Sequence, residues 1–326
     1  MTRLDTDAAV ASEEPTESTG PRALLLESRE VPLGGVRGME VHRSLPQRDL
    51  PLVGAWCFLD RFGPQDTLMR VEPHPHIGLQ TVTWPLVGEI RHRDSVGSDV
   101  IVSRGVVNLM TSGAGIAHSE YSIGDDPIPL DALQLWVALP DTRRHGEPAF
   151  ERHENLPIVT LADANGGRPA EVAVVMGEFA GATSPATAYT PLVGAEVFLP
   201  AGSRVSLPLN PEWEYALVGV DGEATVTDAG MSVDRGHLLY LGTGRDALEV
   251  AVDDEATAFL LGGEPFEDEI VMWWNFVGRS HDEIVDAREE WESDSPRFGH
   301  VTGHGAERVP APPMPAVRLT RRRRRV

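Results

Sequence analysis

The sequence predicts an all-β protein in which two antiparallel β-barrels stack on one another, followed by one C-terminal helix. The 326-residue chain contains 32 Gly and 26 Pro, and this abundance of turn-forming residues favours short strands over long helices. Two β-like regions also repeat one pattern, in which a turn at Gly88 or Gly222 precedes an Arg-Gly turn at Gly105 or Gly236. Such internal repetition is typical of two similar barrels.

Composition and pattern divide the chain into four segments. Residues 1–22 are polar, acidic and without periodicity, which predicts a disordered N-terminal segment. Residues 23–155 form the first predicted barrel domain, with apolar runs such as LQTVTWPLV. Residues 156–295 form the second, with runs such as EVAVVMGEF and GHLLYLG, and end in the helix. Residues 296–326 are rich in Pro and Arg, which predicts a disordered tail.

The helix is predicted from its start signal and its apolar periodicity. Ser280 and Glu283 form a capping box at the beginning of SHDEIVDAREEWE. Ile284, Ala287 and Trp291 then recur at three- and four-residue steps, which produces an apolar stripe on one side. We therefore expect the helix to dock on a barrel through this stripe.

The charge of the chain restricts its partners. The formal net charge is −22, and an acidic surface repels nucleic-acid backbones and anionic lipid, so neither is expected as the main partner. The exception is the basic run Arg321–Arg325, which is either a solvated tail or a segment that contacts an acidic partner or the protein's own acidic surface. We expect a monomer, with a protein partner as an open alternative.

The sequence also predicts a cytoplasmic location. No apolar run is long enough to span a membrane, and the first twenty residues lack the apolar centre of a signal peptide. Cys57 is the only cysteine, so no intrachain disulfide can form, which agrees with a reducing compartment.

The most informative segment is VEPHPHIGLQTVTW, which contains His74 and His76. Residues i and i+2 of a strand point to the same face, so the two imidazoles can lie side by side in the barrel interior. The same spacing recurs in TSGAGIAHSEYS, where His118 and Glu120 follow a turn that Gly113 makes possible. Two such pairs on two strands predict that His74, His76, His118 and Glu120 bind one metal ion.

The ligand types restrict the metal and its chemistry. Mixed nitrogen and oxygen ligation with free positions suits Fe(II) best, and Mn, Co, Ni, Cu or Zn are also compatible. A structural zinc site, in contrast, usually has four closed ligands that often include Cys. The sequence therefore predicts an open site with one divalent transition metal, most favourably Fe(II).

These motifs resemble those of the cupin barrel, with one departure. The usual cupin glutamate lies four residues after the second histidine, where this chain has Gln80, and the carboxylate instead occurs at Glu120. The combination H-x-H plus H-x-E resembles the pirin family, as do GAWCFLDRFGP, RHRDS, MTSGAGIAHSE, LQLWVALP and GGEPFEDEIV. The resemblance covers roughly residues 30–290 and implies two cupin domains.

The resemblance to pirins implies a quercetin 2,3-dioxygenase activity. A flavonol-like aromatic substrate and O₂ would then react at the metal, and Glu120 would serve both as a ligand and as the general base for the flavonol hydroxyl. Two alternatives stay open: a metal-binding regulator that acts through protein partners, and non-oxidative metal chemistry such as isomerisation.

Several other residues are assigned less specific roles. His92 and Asp94 either line the pocket mouth or belong to a hairpin with a structural Asp, and Phe58 and Trp84 either stack on an aromatic substrate or belong to the core. The histidines without a paired ligand nearby are expected at surface or capping positions: His42, His145, His153, His237, His281, His300 and His304. In the second barrel, Asn210 and Glu212 stand where His74 and His76 would be, so no metal is expected there.

Overall fold

The computed structural model describes residues 20–32 and 39–322, which form 25 strands and one α-helix. The strands are β1 (Pro21–Glu27), β2 (Arg29–Pro32), β3 (Glu40–Leu45), β4 (Trp56–Thr67), β5 (Arg70–His76), β6 (Leu79–Val87), β7 (Ile90–Asp94), β8 (Asp99–Val102), β9 (Val107–Thr111), β10 (Ile116–Ser122), β11 (Ile128–Ala138), β12 (Ala149–His153), β13 (Ile158–Leu161), β14 (Ala170–Phe179), β15 (Ala182–Thr183), β16 (Leu192–Leu199), β17 (Arg204–Pro208), β18 (Glu214–Asp221), β19 (Ala224–Val226), β20 (Met231–Val233), β21 (His237–Gly242), β22 (Ala247–Ala251), β23 (Ala256–Gly263), β24 (Val271–Trp273) and β25 (Phe276–Gly278). Helix α1 spans His281–Glu292, and a 3₁₀ turn follows at Pro296–Phe298.

The strands form two domains, each made of one large and one small antiparallel sheet. In the first, a seven-stranded sheet of order β12-β9-β6-β11-β4-β3-β2 is accompanied by the four-stranded sheet β5-β10-β7-β8. In the second, the order is β1-β21-β18-β23-β16-β14-β13, with β15 on β14, and the small sheet is β17-β22-β19-β20. The predicted all-β fold of two cupin-type domains with a C-terminal helix is therefore confirmed.

The two domains share one apolar core. Val82 and Leu135 from the first domain lie in the same buried cluster as Val218 and Phe259 from the second. The indole of Trp56 is fully buried there, and its Nε1 donates to the Val193 carbonyl at 3.0 Å and the Gly262 carbonyl at 3.3 Å. Because the large sheets face each other across this core, the small sheet that carries His74 and His118 lies on the far side of the first domain.

Strand β1 differs from the predicted domain organisation. The sequence predicts a disordered segment up to residue 22 and the first domain from residue 23. The strand instead begins at Pro21 and pairs with β21 of the second domain. Leu24 and Leu26 alternate toward the shared core, which supplies the driving force for this pairing. The alternation was visible in the sequence, whereas the sheet edge that it joins was not. Residues 1–19 lie outside the described part of the chain.

Helix α1 begins where the capping box predicted. The Ser280 side chain accepts a hydrogen bond from the Glu283 amide at 3.2 Å, and Ile284, Ala287 and Trp291 are buried. The Glu283 carboxylate accepts from the Arg279 amide at 2.8 Å, one residue before the cap. The apolar stripe packs on the hairpin β24–β25, which lies beside β5.

The predicted disordered tail is wrong for the described residues 296–322. Phe298, Val301 and Ala311 are buried in a cluster with α1 and β25, and the Val309 amide donates to the Pro73 carbonyl at 2.8 Å. We call residues 296–322 the strap. Its apolar anchors are isolated among Pro, Gly and Arg, so composition alone suggested disorder.

The basic run at the end of the chain is described only at its first two residues. The Arg321 guanidinium lies 3.1 Å from the Glu269 carboxylate, and the Arg322 amide donates to the Ile270 carbonyl at 2.9 Å. At these positions the run contacts the protein's own acidic surface, which was one of the two predicted alternatives. Residues 323–326 lie outside the described range.

Candidate metal centre

Strands β5 and β10 bring three of the four predicted ligands together. They pair antiparallel with His118 opposite His74 and Ile116 opposite His76. The ring centroids lie 4.3 Å apart for His74 and His118 and 4.9 Å apart for His76 and His118. All three imidazoles are buried, and one nitrogen from each lies within 4.8 Å of the other two. The same-face spacing of the H-x-H pair therefore produces a three-histidine cluster.

Backbone carbonyls fix the orientation of two of these rings. Nδ1 of His74 lies 2.9 Å from the Glu72 carbonyl, and Nδ1 of His76 lies 3.2 Å from the Asn275 carbonyl. Because a carbonyl oxygen can only accept, each Nδ1 carries the proton. Each Nε2 is then left with a lone pair, which is the form that binds a metal.

The third ring is oriented by side chains. Asp94 accepts from the Val96 amide at 3.1 Å and the Ser98 amide at 2.9 Å through one oxygen, and its other oxygen lies 3.1 Å from Nε2 of His92. His92 therefore donates from Nε2, which leaves a lone pair on its Nδ1. That atom lies 3.3 Å from Nδ1 of His118, so His118 donates there and keeps a lone pair on Nε2.

These hydrogen bonds create an arrangement that fits a cation. Nε2 of His118 and Nε2 of His76 lie 3.0 Å apart, and both bear lone pairs when the Nδ1 protons are placed as above. Two facing lone pairs repel each other unless a positive charge lies between them. A divalent transition-metal ion held by His74, His76 and His118 would supply that positive charge. The donor set of this cluster thus fits a transition-metal ion.

Burial keeps the three imidazoles neutral, as metal ligands must be. Loss of hydration lowers the pKa of His74 to about 4 and lowers the pKa values of His76 and His118 well below the usual range, with smaller effects from neighbouring histidines. Burial also raises the pKa of Glu120, partly offset by the nearby His92. A bound cation would favour the ionised carboxylate.

Glu120 is grouped with His118 and His92, and not with His74 and His76. Its Oε1 lies 3.1 Å from the hydroxyl of Thr83, and its carboxylate forms a second group with His92 and His118 whose ligand atoms lie within 4.8 Å of one another. The pairing of β10 with β5 contains a bulge between His118 and Glu120, and Glu120 lies directly opposite His92 on β7. The role of Glu120 as the fourth ligand therefore remains a prediction. The two groups of possible ligand atoms, His74–His76–His118 and His92–His118–Glu120, share His118.

The neighbours of the site resolve several open alternatives. Gln80 at the usual cupin glutamate position faces away, because its Nε2 donates to the Thr111 hydroxyl at 2.9 Å and to the Thr187 carbonyl at 3.1 Å. Trp84 belongs to the domain interface, where its Nε1 donates to Glu196 at 3.0 Å. His92 and Asp94 form the buried pair described above, so the reading as a hairpin with a structural Asp is the closer one.

Two stacked aromatic side chains, Phe58 and Trp136, lie beside the three histidines, and we call them the aromatic wall. Phe58 stacks on Trp136 with ring centroids 3.9 Å apart, and Trp136 meets His76 edge-on at 5.2 Å. Nε1 of Trp136 is buried without an acceptor among the described residues. Trp136 is not among the predicted site residues, although its position opposite Phe58 follows once β11 is paired with β4.

The remaining predicted positions differ in outcome. Asn210 caps a turn in the second domain, where its side chain accepts from the Glu212 amide at 3.0 Å, and the absence of metal there stays a prediction. His304 is buried instead of lying at the surface, because the strap carries it onto the outer face of β10. In residues 20–32 and 39–322, no helix is long and apolar enough to cross a membrane.

Comparison with known proteins agrees with the fold. The Pirin family model matches residues 38–137, and the model of the Pirin C-terminal cupin domain matches residues 194–299. A Pseudomonas aeruginosa protein provisionally named quercetin 2,3-dioxygenase is 42% identical over 292 residues, which is 88% of this chain and 89% of that protein. A pirin-like protein of Caulobacter vibrioides is 36% identical over 297 residues, or 89% and 99% of the two chains.

A solved structure extends the comparison to three dimensions. The crystal structure of quercetin 2,3-dioxygenase from Acinetobacter baumannii is 38% identical and superposes with a TM-score of 0.84, covering 91% of this chain and 97% of that one. Both family models, the relatives over nearly the full length and the shared fold lead to one conclusion. The chain belongs to the pirin family.

Proposed function

We propose that this pirin is a quercetin 2,3-dioxygenase-type enzyme that oxidises a flavonol or a related aromatic substrate with O₂. The observation that carries the proposal is the cluster of three buried imidazoles, in which Nε2 of His76 and Nε2 of His118 lie only 3.0 Å apart. The names of two relatives, at 42% and 38% identity, support the same reaction class.

The proposed metal ligands are His74, His76, His118 and Glu120, and Fe(II) is the favoured ion. Mixed imidazole and carboxylate ligation suits Fe(II) and also Mn, Co, Ni, Cu or Zn. A divalent transition metal bound here would supply Lewis-acid activation of the flavonol hydroxyl and the redox capacity that a reaction with O₂ requires.

Glu120 is proposed to accept the proton of the substrate hydroxyl. Burial raises the pKa of this carboxyl and so favours proton uptake, while a bound cation would keep the carboxylate ionised until the substrate hydroxyl arrives. The Thr83 hydroxyl lies 3.1 Å from Glu120 Oε1 and 2.9 Å from Gln134 Oε1, and it can donate to only one of them at a time. When the hydroxyl donates to Glu120, it orients the carboxylate, and when it donates to Gln134, it leaves Glu120 Oε1 without this bond.

The aromatic wall is proposed to bind the planar substrate. Trp136 meets His76 edge-on, and its unpaired Nε1–H can donate to a substrate oxygen. An unpaired buried donor costs about 1–3 kcal/mol, so an acceptor on the substrate would recover this loss. Phe58 keeps the indole in place by stacking on it.

The test is an aerobic assay that follows quercetin absorbance together with the metal content of the same sample. We expect turnover by protein loaded with Fe(II), loss of metal in His76→Ala, and at least a hundredfold loss of rate in Glu120→Gln. His237→Ala, at an exposed His–Asp pair of the second domain, is the matched control and should behave as the wild type.

Two results would contradict the proposal. If loaded wild-type protein and Glu120→Gln both fail to consume quercetin and related flavonols, the dioxygenase activity is wrong, and a regulatory role through protein partners becomes the better explanation. If His76→Ala retains the wild-type metal content, the assignment of the metal site itself is wrong.

A further inference from the structure

A second polar cluster lies on the opposite face of strand β10. Ser119 and Tyr121 alternate with His118 and Glu120, so they point away from the three-histidine centre. The strap covers this outer face and inserts His304 into it, with only 7% of the residue exposed. A histidine thus lies buried among polar groups that the proposed oxidation does not use.

Polar groups of β5 and β10 surround both ring nitrogens of His304. Its Nε2 lies 2.9 Å from the Ser119 hydroxyl, and its Nδ1 lies 3.4 Å from Glu72 Oε2 and 3.2 Å from the Tyr121 hydroxyl. Ligating histidines usually bond their second nitrogen to a polar neighbour that fixes the ring, and Ser119 fills that role here.

Glu307 completes the cluster from the solvent side. The ligand atoms of Glu72, His304 and Glu307 lie within 4.8 Å of one another, and Glu307 is exposed while His304 is buried. We propose that these three residues bind a second divalent cation, of the type of Zn²⁺ or Mn²⁺, which fastens the strap to the first domain.

The geometry fits such an ion. Two ligands that each lie about 2.1 Å from a common tetrahedral centre are about 3.4 Å apart, and His304 Nδ1 and Glu72 Oε2 have this separation. One imidazole with two carboxylates is a mixed donor set that suits Zn²⁺ and Mn²⁺. Because Glu307 is exposed, a cation can enter from solvent and keep water in its remaining positions.

The charges around the cluster predict its affinity relative to the first site. Burial lowers the pKa of His304, so its imidazole is neutral and able to bind a metal near pH 7. The charge of Arg93 also lowers that pKa, and the same charge would repel a cation. The two negative charges of Glu72 and Glu307 outweigh the single positive charge of Arg93. We therefore expect the cluster to bind a cation, with lower affinity than the three-histidine centre.

The backbone already holds the ligands near their places. The Glu307 amide donates to the His304 carbonyl at 3.0 Å, which closes a turn between the two strap ligands. The Val309 amide donates to the carbonyl of Pro73, the residue that follows Glu72. A cation here would therefore cross-link β5 and the strap with little loss of conformational entropy.

The experiment measures zinc stoichiometry on the full chain by equilibrium dialysis against Zn²⁺ alone, followed by elemental analysis. We expect two equivalents for the wild type and one for Glu307→Gln, which removes an exposed carboxylate without disturbing the core. His76→Ala should lose the tighter equivalent and keep the weaker one. Glu255→Gln, which removes the same charge from an exposed position in the second domain, should still bind two.

The outcomes separate this site from the first one. Wild-type protein that binds a single equivalent, lost in His76→Ala, would overturn the proposal. A second equivalent that persists unchanged in Glu307→Gln would place that ion elsewhere and would also overturn it. Neither result depends on flavonol turnover. The proposed oxidation can therefore fail while this second metal site is confirmed, and this site can fail while the oxidation is confirmed.

Discussion

At the scale of single residues, His118 differs from the other two clustered histidines in what holds its proton. Backbone carbonyls of Glu72 and Asn275 hold the Nδ1 protons of His74 and His76, and a side-chain substitution cannot remove a carbonyl. The Nδ1 proton of His118 is held by His92, whose own tautomer depends on Asp94. His92 and Asp94 are therefore positioning residues for this one ring.

Asp94→Asn tests this dependence. The new amide keeps accepting from the Val96 and Ser98 amides through its oxygen and so presents its NH₂ to His92. Two donors then face each other, so His92 shifts its proton to Nδ1 and forces His118 to carry its proton on Nε2, toward the metal. We expect metal affinity to fall about 10- to 100-fold in chelator competition.

The matched control for this substitution is Asp234→Asn. Asp234 contacts His237 in the second domain in the same kind of His–Asp pair, remote from any clustered histidine. It should leave metal affinity unchanged. Equal affinities for Asp94→Asn and the wild type would show that the tautomer of His118 is set in some other way.

The sequence predicted the His74–His76 pair because i, i+2 spacing on a strand needs no knowledge of the partner strand. His118 was predicted from a second i, i+2 pair, and the pairing of β5 with β10 brings it to the first. The role of His92 needed more, since it depends on β7 pairing with β10 so that His92 lies opposite Glu120. The position of Glu120 depends on a bulge between β5 and β10, which spacing within one strand cannot reveal.

At the scale of elements, the strap shows how few apolar contacts can order a polar segment. Phe298 lies 5.5 Å from Trp291 edge-on and 6.1 Å from Phe276, measured between ring centroids. The prolines around it restrict the unfolded chain, so fewer contacts are needed to hold the segment in place. Sequence composition reports the polar majority and misses these separated anchors.

Phe298→Ala measures the contribution of this anchor. The ring is almost fully buried, so we expect a loss of about 3–5 kcal/mol in the free energy of unfolding and faster hydrogen exchange in the strap. Val317→Ala, at a strap residue that is 64% exposed, should change the stability by less than about 0.5 kcal/mol. Similar losses in both variants would mean that the strap is not anchored through Phe298.

At the scale of the whole molecule, the two domains differ in what their interiors contain. The first domain holds its buried histidines in a small sheet away from the interface, while the shared core joins the large sheets. Glu214 of the second domain adds a polar link, since its carboxylate accepts from the Gly54 amide at 2.6 Å and from the Tyr240 hydroxyl at 2.8 Å. Among the described residues, all clustered histidines therefore belong to the first domain or to the strap, and the second domain contacts the first through the shared core and Glu214.

Trp56→Phe tests whether this interface stabilises the fold as one unit. Phenylalanine keeps most of the apolar contact but leaves the Val193 and Gly262 carbonyls without the indole donor. We expect a loss of about 1–3 kcal/mol in the free energy of unfolding, while metal affinity stays unchanged because Trp56 lies on the interface side of the first domain. Trp274→Phe, at a half-buried indole in the turn between β24 and β25, provides the control with little expected loss. If Trp56→Phe instead lowers metal affinity as much as Asp94→Asn, the interface and the metal centre are coupled, and the separation of their roles is wrong.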